Sequence, residues 1–399
     1  MRIGAVRDVV LARVPLADHR TLGYTCKALR RLVYSDDFAK LRKTLGCEEF
    51  GLLALARPRA AGEDPYHTFA CLTHKLESLG FQPPETETIP GDLDEFATAL
   101  STDGRLVVCG DASYNRNVLI YDPREYAWVQ DSRFPKRLPV VMYGQCLAFL
   151  DNTLVVVGGG TMDEDKPWGF SWDEQLRIWQ SLPPLPHAVT YAGYCAIGSR
   201  LFVVGGHARD EPRSDHYTVH NFGYASTDYT ACLQIYDASR QSWSLGPPLA
   251  QLEERREEVI SAVAYRGCVY VFSKIAHMLF GHVDDQFHMR FLGLISTQCH
   301  AYCFDPRSNS WSELPPLPIH GLSEFKACVH AGSLVFAGTD RSIYHRSPQY
   351  RDLYDGPPST FMYAWDERAE TWKARPLVRR LRWLDGILES LVSVPLRIR

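Results

Sequence analysis

The length, composition and charge of the chain exclude several classes of protein. Its 399 residues are 45% hydrophobic, 12% aromatic and 23% charged, which is enough apolar material for a large packed core and argues against disorder. The formal net charge of −4 lacks the basic excess of nucleic-acid-binding proteins. Arg13 interrupts a short apolar stretch near the start, and no apolar run reaches the ~18 residues of a membrane span. We expect a cytoplasmic or nuclear protein that binds neither nucleic acid nor a membrane.

Residues 1–46 predict a small helical segment. Apolar residues recur at helical spacing between residues 6 and 46, and Pro15 breaks the pattern. The strings Val-Leu-Ala-Arg-Val-Pro-Leu-Ala-Asp-His-Arg-Thr-Leu (10–22) and Cys-Lys-Ala-Leu-Arg-Arg-Leu (26–32) resemble the F-box segment that precedes the blades of plant F-box/kelch-repeat proteins. The segment departs from that family because the leading Leu-Pro is absent and Leu29 occupies the usual position of a Trp.

This resemblance implies that the helices dock on the Skp-type adaptor of a cullin-RING ubiquitin ligase. Docking of a helix in a groove would use apolar anchors. The expected adaptor-binding residues are Val10, Pro15, Leu22, Cys26, Leu29 and Leu32. The alternative is that the helices pack against the flank of the following domain or bind another partner.

Residues 47–399 predict one β domain built from a repeat. An Asp followed six positions later by a Trp returns five times, and a short apolar, β-branched run ending near a glycine precedes each pair. Four of the five copies continue into proline-bearing segments such as Trp-Ser-Glu-Leu-Pro-Pro-Leu-Pro (311–318). The five tryptophans are Trp128, Trp179, Trp243, Trp311 and Trp372.

The repeat resembles the kelch repeat, which has a Gly-Gly after the second strand, a Tyr-Asp-Pro turn after the third and a Trp in the fourth. The double glycines are Gly158, Gly159, Gly205 and Gly206. Residues 50–90 contain a degenerate copy of the repeat without an obvious first strand. Residues 385–395 have the alternation of apolar and polar residues typical of a strand, and this segment could supply the missing strand. We therefore expect an all-β, six-bladed kelch β-propeller closed by the C-terminal strand and preceded by the small α-helical F-box-like segment.

Each repeated residue has a physical role in a propeller. The Asp suits the turn between the third and fourth strands because its side chain can accept hydrogen bonds from backbone N–H groups. Glycine allows close approach of backbones near the central channel. The Trp offers a large apolar surface for the seam between blades. The alternative for the tryptophans is a ligand-binding aromatic cage.

Long insertions between the second and third strands predict a partner-binding face. They occupy residues 207–231, 273–298 and 339–360 of three consecutive blades. Aromatic and arginine side chains, which dominate binding energy at interfaces, are frequent in them. The expected partner-binding residues are Arg213, Tyr217, Phe222, Tyr224, Tyr229, Phe280, Phe287, Arg290, Phe291, Tyr344, Arg346, Tyr350 and Tyr354. Alternatively, these segments only cover the propeller.

Together these features favour the substrate-recognition adaptor of an SCF-type (Skp-cullin-F-box) ubiquitin ligase that holds a target protein, with no enzymatic activity and no cofactor. The eleven cysteines have no C-x-x-C pair and are expected to be buried free thiols. One alternative is a kelch interaction module without a ligase role. Another is a metal-dependent kelch enzyme of the nitrile-specifier or galactose-oxidase type. Two separate groups are its candidate metal-binding side chains: Glu211, Asp215 and His220, in which the His lies one position beyond that of the nitrile-specifier motif, and His277, His282 and His288 with Asp284 and Asp285.

Overall fold

The computed structural model describes most of the repeat region and parts of the N-terminal segment. The described residues are 8, 11–14, 27–33, 35–45, 50–57, 68–71, 96–110, 116–123, 127–160, 168–208, 230–255, 257–282, 289–319, 324–340, 359–375 and 387–395.

Two short helices form the described core of the N-terminal segment, α1 (Lys27–Val33) and α2 (Asp36–Thr44). Ser35 separates them, and its Oγ accepts the N–H of Phe38 at 3.3 Å, as a helix-capping residue does. The Arg42 side chain is buried and donates to the carbonyl oxygens of Ala12 and Val14 at 2.7 and 2.6 Å. This arrangement ties the residues before Pro15 to α2. It is a small helical unit rather than a clearly formed F-box.

Five four-stranded antiparallel sheets follow one another along the chain, and we number them blades 1 to 5. Blade 1 contains β3 (Ala97–Leu100), β4 (Leu106–Cys109), β5 (Val118–Asp122) and β6 (Ala127–Val129). Blade 2 contains β7 (Cys146–Leu150), β8 (Thr153–Val157), β9 (Gly169–Asp173) and β10 (Ile178–Ser181). Blade 3 contains β12 (Gly193–Ile197), β13 (Arg200–Val204), β15 (Leu233–Asp237) and β16 (Ser242–Leu245).

The second half of the ring has longer strands. Blade 4 contains β17 (Glu258–Tyr265), β18 (Cys268–His282), β19 (Met289–Asp305) and β20 (Ser310–Glu313), and the helix α3 (Ala250–Glu254) precedes it. Blade 5 contains β21 (Glu324–His330), β22 (Ser333–Asp340), β23 (Ser359–Asp366) and β24 (Thr371–Ala374). A separate two-stranded sheet pairs β11 (Val189–Thr190) with β14 (His207–Ala208).

A sixth sheet joins the two ends of the repeat region. β1 (Phe50–Arg57) pairs with β2 (Thr68–Cys71) and with the C-terminal strand β25 (Ile387–Pro395), both antiparallel. β25 also lies between β21 of blade 5 and β3 of blade 1, so it occupies the innermost position of its sheet. His330 Nδ1 and Ser393 Oγ are 3.0 Å apart across the junction with blade 5. The C-terminal strand therefore pairs with the first sheet as the sequence predicts.

The blade count corrects the expectation of six. The structure contains five complete four-stranded blades, and the sixth sheet has three strands within the described residues. The Asp–Trp repeat explains the difference, because it occurs five times and residues 50–90 carry no copy of it. The segment expected as the last strand of that sheet, residues 76–79, lies outside the described residues.

The hydrophobic core is divided among the seams between successive blades. Separate clusters of buried apolar side chains fill the seams of blades 1 and 2, 2 and 3, 3 and 4, and 4 and 5. Second strands are the most buried, and all four residues of β4 are buried. A second strand has neighbouring blades on both of its faces, so it reads as a continuous apolar run rather than an alternating one.

Four of the five repeated tryptophans connect their blade to the one before it. The indole Nε1 of Trp179, Trp243, Trp311 and Trp372 donates to a carbonyl oxygen on the link that leaves the preceding blade. The acceptors are, in order, Arg137, Pro183, Pro247 and Pro315, at 2.8, 2.9, 2.8 and 3.1 Å. Each proline acceptor follows the preceding Trp by four positions, and this bond explains the Trp–Pro spacing of the sequence. Trp128 packs edge-on against Tyr121 in its own blade. The tryptophans are distributed over five blades and do not form one aromatic cage.

The repeated Asp residues close the turns between third and fourth strands. Asp173 Oδ1 accepts the N–H groups of Gln175 and Leu176, both at 2.9 Å. The equivalent Asp366 accepts the N–H groups of Arg368 and Ala369 at 3.0 and 3.1 Å. These are Asx turns, in which a short side chain replaces a backbone acceptor.

Candidate partner-binding face

The two ends of the ring differ in construction. At one end, the turn face, tight turns join strands one and two and strands three and four of each blade. At the other end, the loop face, the second-to-third-strand connections leave the blades and the links enter the first strands. All three long insertions of the sequence start from the loop face.

The insertion of blade 4 is a β-hairpin, whereas the sequence predicts a loop over residues 273–298. β18 and β19 stay paired from Val269 and Phe304 out to His282 and Met289. β17 pairs with β18 only as far as Lys274, so residues 275–282 and 289–298 extend as a two-stranded ribbon beyond the blade. Eight residues of extended chain span roughly 26 Å. We call this segment the ribbon.

The ribbon contains several of the expected partner-binding residues. Phe280 and Phe291 are register partners, and Arg290 pairs with Gly281. Phe287 lies outside the described residues. The other expected partner-binding residues also lie outside them, in residues 209–229 and 341–358: Arg213, Tyr217, Phe222, Tyr224, Tyr229, Tyr344, Arg346, Tyr350 and Tyr354.

Two glycine pairs let the links of the loop face pass close to the second strands. Gly158, Gly159, Gly205 and Gly206 all have positive φ, at 66, 84, 64 and 93°. A Cβ atom on Gly206 would lie 2.7 Å from the carbonyl oxygen of Thr190. Any other residue would therefore be strained by its backbone conformation and by contact with the link.

An aromatic row on the loop face was not predicted from the sequence. The ring of Tyr191 lies 6.2 Å from that of Tyr143 in the link before blade 2 and 5.8 Å from that of His207. All three side chains are half-buried, and His207 pairs with Thr190 at the base of the 209–229 segment. One signal could have revealed the row: a Tyr shortly precedes the first-strand Cys146 and Cys195 in both blades.

Tyr191 has a strained backbone. Its φ is 54°, in the left-handed region, and the other described non-glycine residues with positive φ lie in tight turns of the turn face. Such a conformation costs on the order of 1 kcal/mol and concentrates at functional sites. Its N–H donates to the carbonyl of Gly144 at 2.8 Å, and a Cβ on Gly144 would meet the Tyr191 ring at 3.2 Å. Neighbouring blades thus hold this side chain in place.

A buried carboxylate anchors the base of the ribbon. The Glu257 side chain is fully buried at the entry to β17 and accepts hydrogen bonds from Ser273 Oγ and from Tyr302 OH. His300 Nδ1 lies 2.9 Å from Glu257 Oε1, and Arg255 bridges Tyr302 and Glu313. Burial, and then the carboxylate of Glu257, raise the pKa of Tyr302, so this hydroxyl remains a donor. The cluster fixes both strands of the ribbon to the link before blade 4.

The expected adaptor-binding residues are only partly described. Leu29 and Leu32 lie in α1 with half-buried side chains. Val10, Pro15, Leu22 and Cys26 lie outside the described residues.

The alternative metal site is not visible in the described part of the chain. No group of three His, Cys, Asp or Glu side chains suited to a metal occurs among the described residues. His277 and His282 lie on β18, while Glu211, Asp215, His220, Asp284, Asp285 and His288 lie outside those residues.

The described cysteines are all free thiols. They are Cys109, Cys146, Cys195, Cys232, Cys268, Cys299, Cys303 and Cys328. Burial raises the pKa of Cys109 and of Cys195 to about 12, so these thiols are inert near neutral pH. Within the described ranges, no helix has the length and apolar character needed to cross a membrane.

The blades, their seam tryptophans and the loop-face glycines define an all-β propeller of the kelch type. A solved structure titled "Structure of YjhT" has this fold, with a TM-score of 0.50 and 14% identity over 72% of this chain and 85% of that one. No family model matches the chain.

Similar sequences carry the kelch name, and several also carry the F-box name. One F-box/kelch-repeat protein of Arabidopsis thaliana is 26% identical over 241 residues, which are 58% of this chain and 57% of the relative. A second from the same plant is 22% identical over 329 residues, 78% of each chain. Kelch-like protein 35 of Mus musculus is 25% identical over 68% of this chain, which spans 37% of that protein. The resemblance to F-box/kelch-repeat proteins expected from the sequence is confirmed. The chain spans just over half of the first plant relative and about a third of the mouse protein.

Proposed function

We propose that this chain is the target-recognition subunit of an SCF-type ubiquitin ligase. In this proposal the loop face of the propeller binds the target protein, and the N-terminal helical unit binds a Skp-type adaptor. The observation that carries it is the one-sided construction of the propeller, in which the ribbon projects from one end of the ring and the connections with the other two insertions begin and end there.

The loop face supplies what a protein-binding surface needs. The five blades form a rigid support, because buried apolar clusters and Trp hydrogen bonds join successive blades. The ribbon adds a projecting element, and the Glu257 cluster fixes its base. Rigid aromatic side chains contribute much of the binding energy at interfaces, and the Tyr143–Tyr191–His207 row provides them on this face.

The adaptor contact is supported by the sequence relatives and by α1. The plant relatives carry the F-box name, and α1 presents Leu29 and Leu32 with half-buried side chains. Ala12, Phe38 and Arg42 are buried, so they hold the unit together without being available to a partner. Apolar residues three positions apart on a short helix suit docking in an apolar groove.

Binding to a purified Skp-type adaptor tests the ligase role. We expect the full chain to bind, a Leu29→Asp variant to lose binding, and a Leu29→Trp variant to bind more tightly because the larger ring fills more of the groove. Isothermal titration calorimetry would measure these affinities. Lys40→Ala, which changes an exposed side chain on α2, is the matched control.

Two outcomes contradict the adaptor contact. One is that neither the native chain nor Leu29→Trp binds any Skp-type adaptor. The other is that Leu29→Asp binds as well as the native chain. The first outcome would leave the kelch interaction module without a ligase role, and the second would show that the adaptor docks on a surface other than Leu29 of α1.

A further inference from the structure

A cleft between blades 1 and 2 opens on the turn face, away from the loop-face site. Its volume is about 610 Å³, within the range typical of ligand-binding clefts. Three parts of the chain surround it: the β3–β4 turn at Ser101–Asp103, the link residues Arg133 and Phe134, and the turns of blade 2 at Asn152 and Asp173–Gln175. It is open to solvent and lined by both polar and aromatic side chains.

The link from blade 1 to blade 2 is built differently from the described links of the later blades. After blades 2, 3 and 4 the link first continues the pairing of the fourth strand, as in the bond from the Leu182 N–H to the Gly169 carbonyl. After blade 1 it makes an extra turn instead, in which the Phe134 N–H donates to the Asp131 carbonyl at 3.1 Å. This turn forms one wall of the cleft, so the cleft is a specific feature of this seam.

Ion pairs fix that wall. The Arg133 guanidinium bridges Asp131, at 2.6 Å, and Asp103, at 3.0 Å. Arg105 pairs with Asp103 and with the buried Asp122. Burial raises the pKa of Asp103, but hydrogen bonds from Ser101 and Arg133 and the charge of Arg105 outweigh it and lower that pKa to about 2. The network keeps both arginines occupied with carboxylates of the protein.

The opposite side of the cleft combines aromatic surface with acidic side chains. Trp172 is held by a hydrogen bond from its Nε1 to the Arg133 carbonyl at 2.8 Å, and Phe149 packs edge-on against Phe134. Asp173 receives hydrogen bonds from neutral groups, and the exposed Glu174 has no ion-pair partner among the described residues. The two carboxylates therefore leave uncompensated negative charge beside an aromatic wall.

Exposed apolar side chains lie in the same turn and outer strand of blade 2 that contribute lining residues to the cleft. Leu176 is 64% exposed and Ile178 is 50% exposed, next to Glu174 in the turn and outer strand of blade 2. Within the described residues, Leu245 in blade 3 is the other large hydrophobic residue with comparable exposure, at 57%. A partner that removes such apolar side chains from water gains free energy in proportion to the area it covers.

We infer that this cleft binds a segment of a partner protein that carries an arginine or lysine next to an apolar residue. The alkyl part of the basic side chain would pack on Trp172 and Phe149, and its charge would reach Glu174 and Asp173. The neighbouring apolar residue would cover Leu176, which follows the lining residue Gln175 in the chain. The charge of the site favours a basic segment over an acidic one, because Asp173 and Glu174 would repel an acidic peptide. This site is separate from the loop face and does not depend on the proposed function.

Peptide binding by the full chain tests the inference. The probes are immobilised peptides that combine one Arg or Lys with one Leu or Ile, separated by zero to three glycines. Companion peptides carry citrulline or Glu in place of the basic residue. We expect the basic peptides alone to bind, and Glu174→Lys and Leu176→Ser each to weaken binding by about fivefold or more, as expected for loss of an interface anchor.

Matched variants control for general effects. Glu370→Lys reverses the charge of an exposed residue in the corresponding turn of blade 5, and Leu245→Ser removes the exposed leucine of blade 3. Both should bind the basic peptides as the native chain does.

The inference is wrong if no basic peptide binds at about 1 mM, a concentration that detects very weak complexes. It is equally wrong if Glu174→Lys leaves binding unchanged or if Glu370→Lys weakens it as much. A chain without the ribbon should still bind the peptides, so this result is independent of the loop-face proposal.

Discussion

At the scale of single residues, the fourth-strand Trp of blades 2 to 5 combines packing and hydrogen bonding at the seam with the preceding blade. Trp311 packs against Phe304 with ring centroids 5.1 Å apart, and its Nε1 donates to the carbonyl of Pro247 in the link from blade 3. The proline ring fixes the backbone that presents this acceptor. The position therefore requires a large apolar aromatic ring that also carries an N–H donor, and the Trp indole combines the two.

Substitution of Trp311 separates these two contributions. Trp311→Phe keeps an aromatic ring but removes the N–H, so we expect it to lower the free energy of unfolding by ~1 to 2 kcal/mol. Trp311→Ala also leaves a cavity and should cost ~3 to 5 kcal/mol. Chemical denaturation followed by circular dichroism would measure both. Leu245→Ala, an exposed change nearby, should alter stability by less than about 0.5 kcal/mol. Equal losses for Phe and Ala would show that the hydrogen bond dominates and that packing contributes little.

At the scale of elements, blade 4 holds the ribbon in position, whereas the fold of blade 4 does not depend on the ribbon. The pairing of β17 with β18 ends at Lys274, whereas residues 275–282 of β18 remain paired with β19. The Glu257 cluster lies at its base and remains intact when the ribbon is shortened, because Ser273 and His300 precede and follow the projecting part. Recognition and stability can therefore be tested separately in this element.

Shortening the ribbon should remove target binding and leave the fold intact. Replacing residues 276–297 with Asn-Gly joins Ile275 and Gln298, which are already register partners, through a favoured two-residue hairpin turn. We expect the melting temperature to change by less than about 4 °C, the shift of a ~1 kcal/mol perturbation in a large domain. Quantitative proximity labelling in cells would compare the neighbouring proteins of the two chains. Arg240→Ala on the turn face is the control and should preserve the native set of neighbours. An unchanged set for the shortened chain would place target recognition elsewhere.

At the scale of the whole molecule, the ring is joined by strands that lie far apart in the chain. β1 and β25 pair over the full length of both strands, although roughly 330 residues separate them. β25 also packs between blades 5 and 1. It therefore closes the ring both by its hydrogen bonds to β1 and by its contacts with these two blades. Without it β1 would present an unpaired edge, and such edges favour aggregation.

Removal of the C-terminal strand should therefore disrupt the whole propeller. We expect deletion of residues 385–399 to lower the melting temperature by more than about 10 °C or to abolish the cooperative transition, because the adjoining seams lose their packing. Differential scanning calorimetry would follow the transition. Deletion of residues 396–399 alone leaves β25 complete and should not change the melting temperature. A chain that keeps its melting temperature without β25 would show that the other blades are stable as an open array.

The sequence by itself determined the elements that depend on neighbouring residues. Asp–Trp spacing predicted the turn between third and fourth strands, and the double glycines marked where a link passes a second strand, because both signals arise within a few residues of the chain. The pairing of the C-terminal strand was also predictable, because residues 50–90 lacked an obvious first strand and residues 385–395 had the pattern of a strand.

Only the tertiary structure decided the features that bring distant residues together. The sequence showed an insertion in blade 4, but the pairing of β18 with β19 made it a ribbon. The strained Tyr191, the buried Glu257 and the cleft beside Trp172 combine side chains from different blades or links, and no local pattern encodes such contacts. Local spacing fixes turns and strands, whereas the packing of blades against one another places side chains in sites.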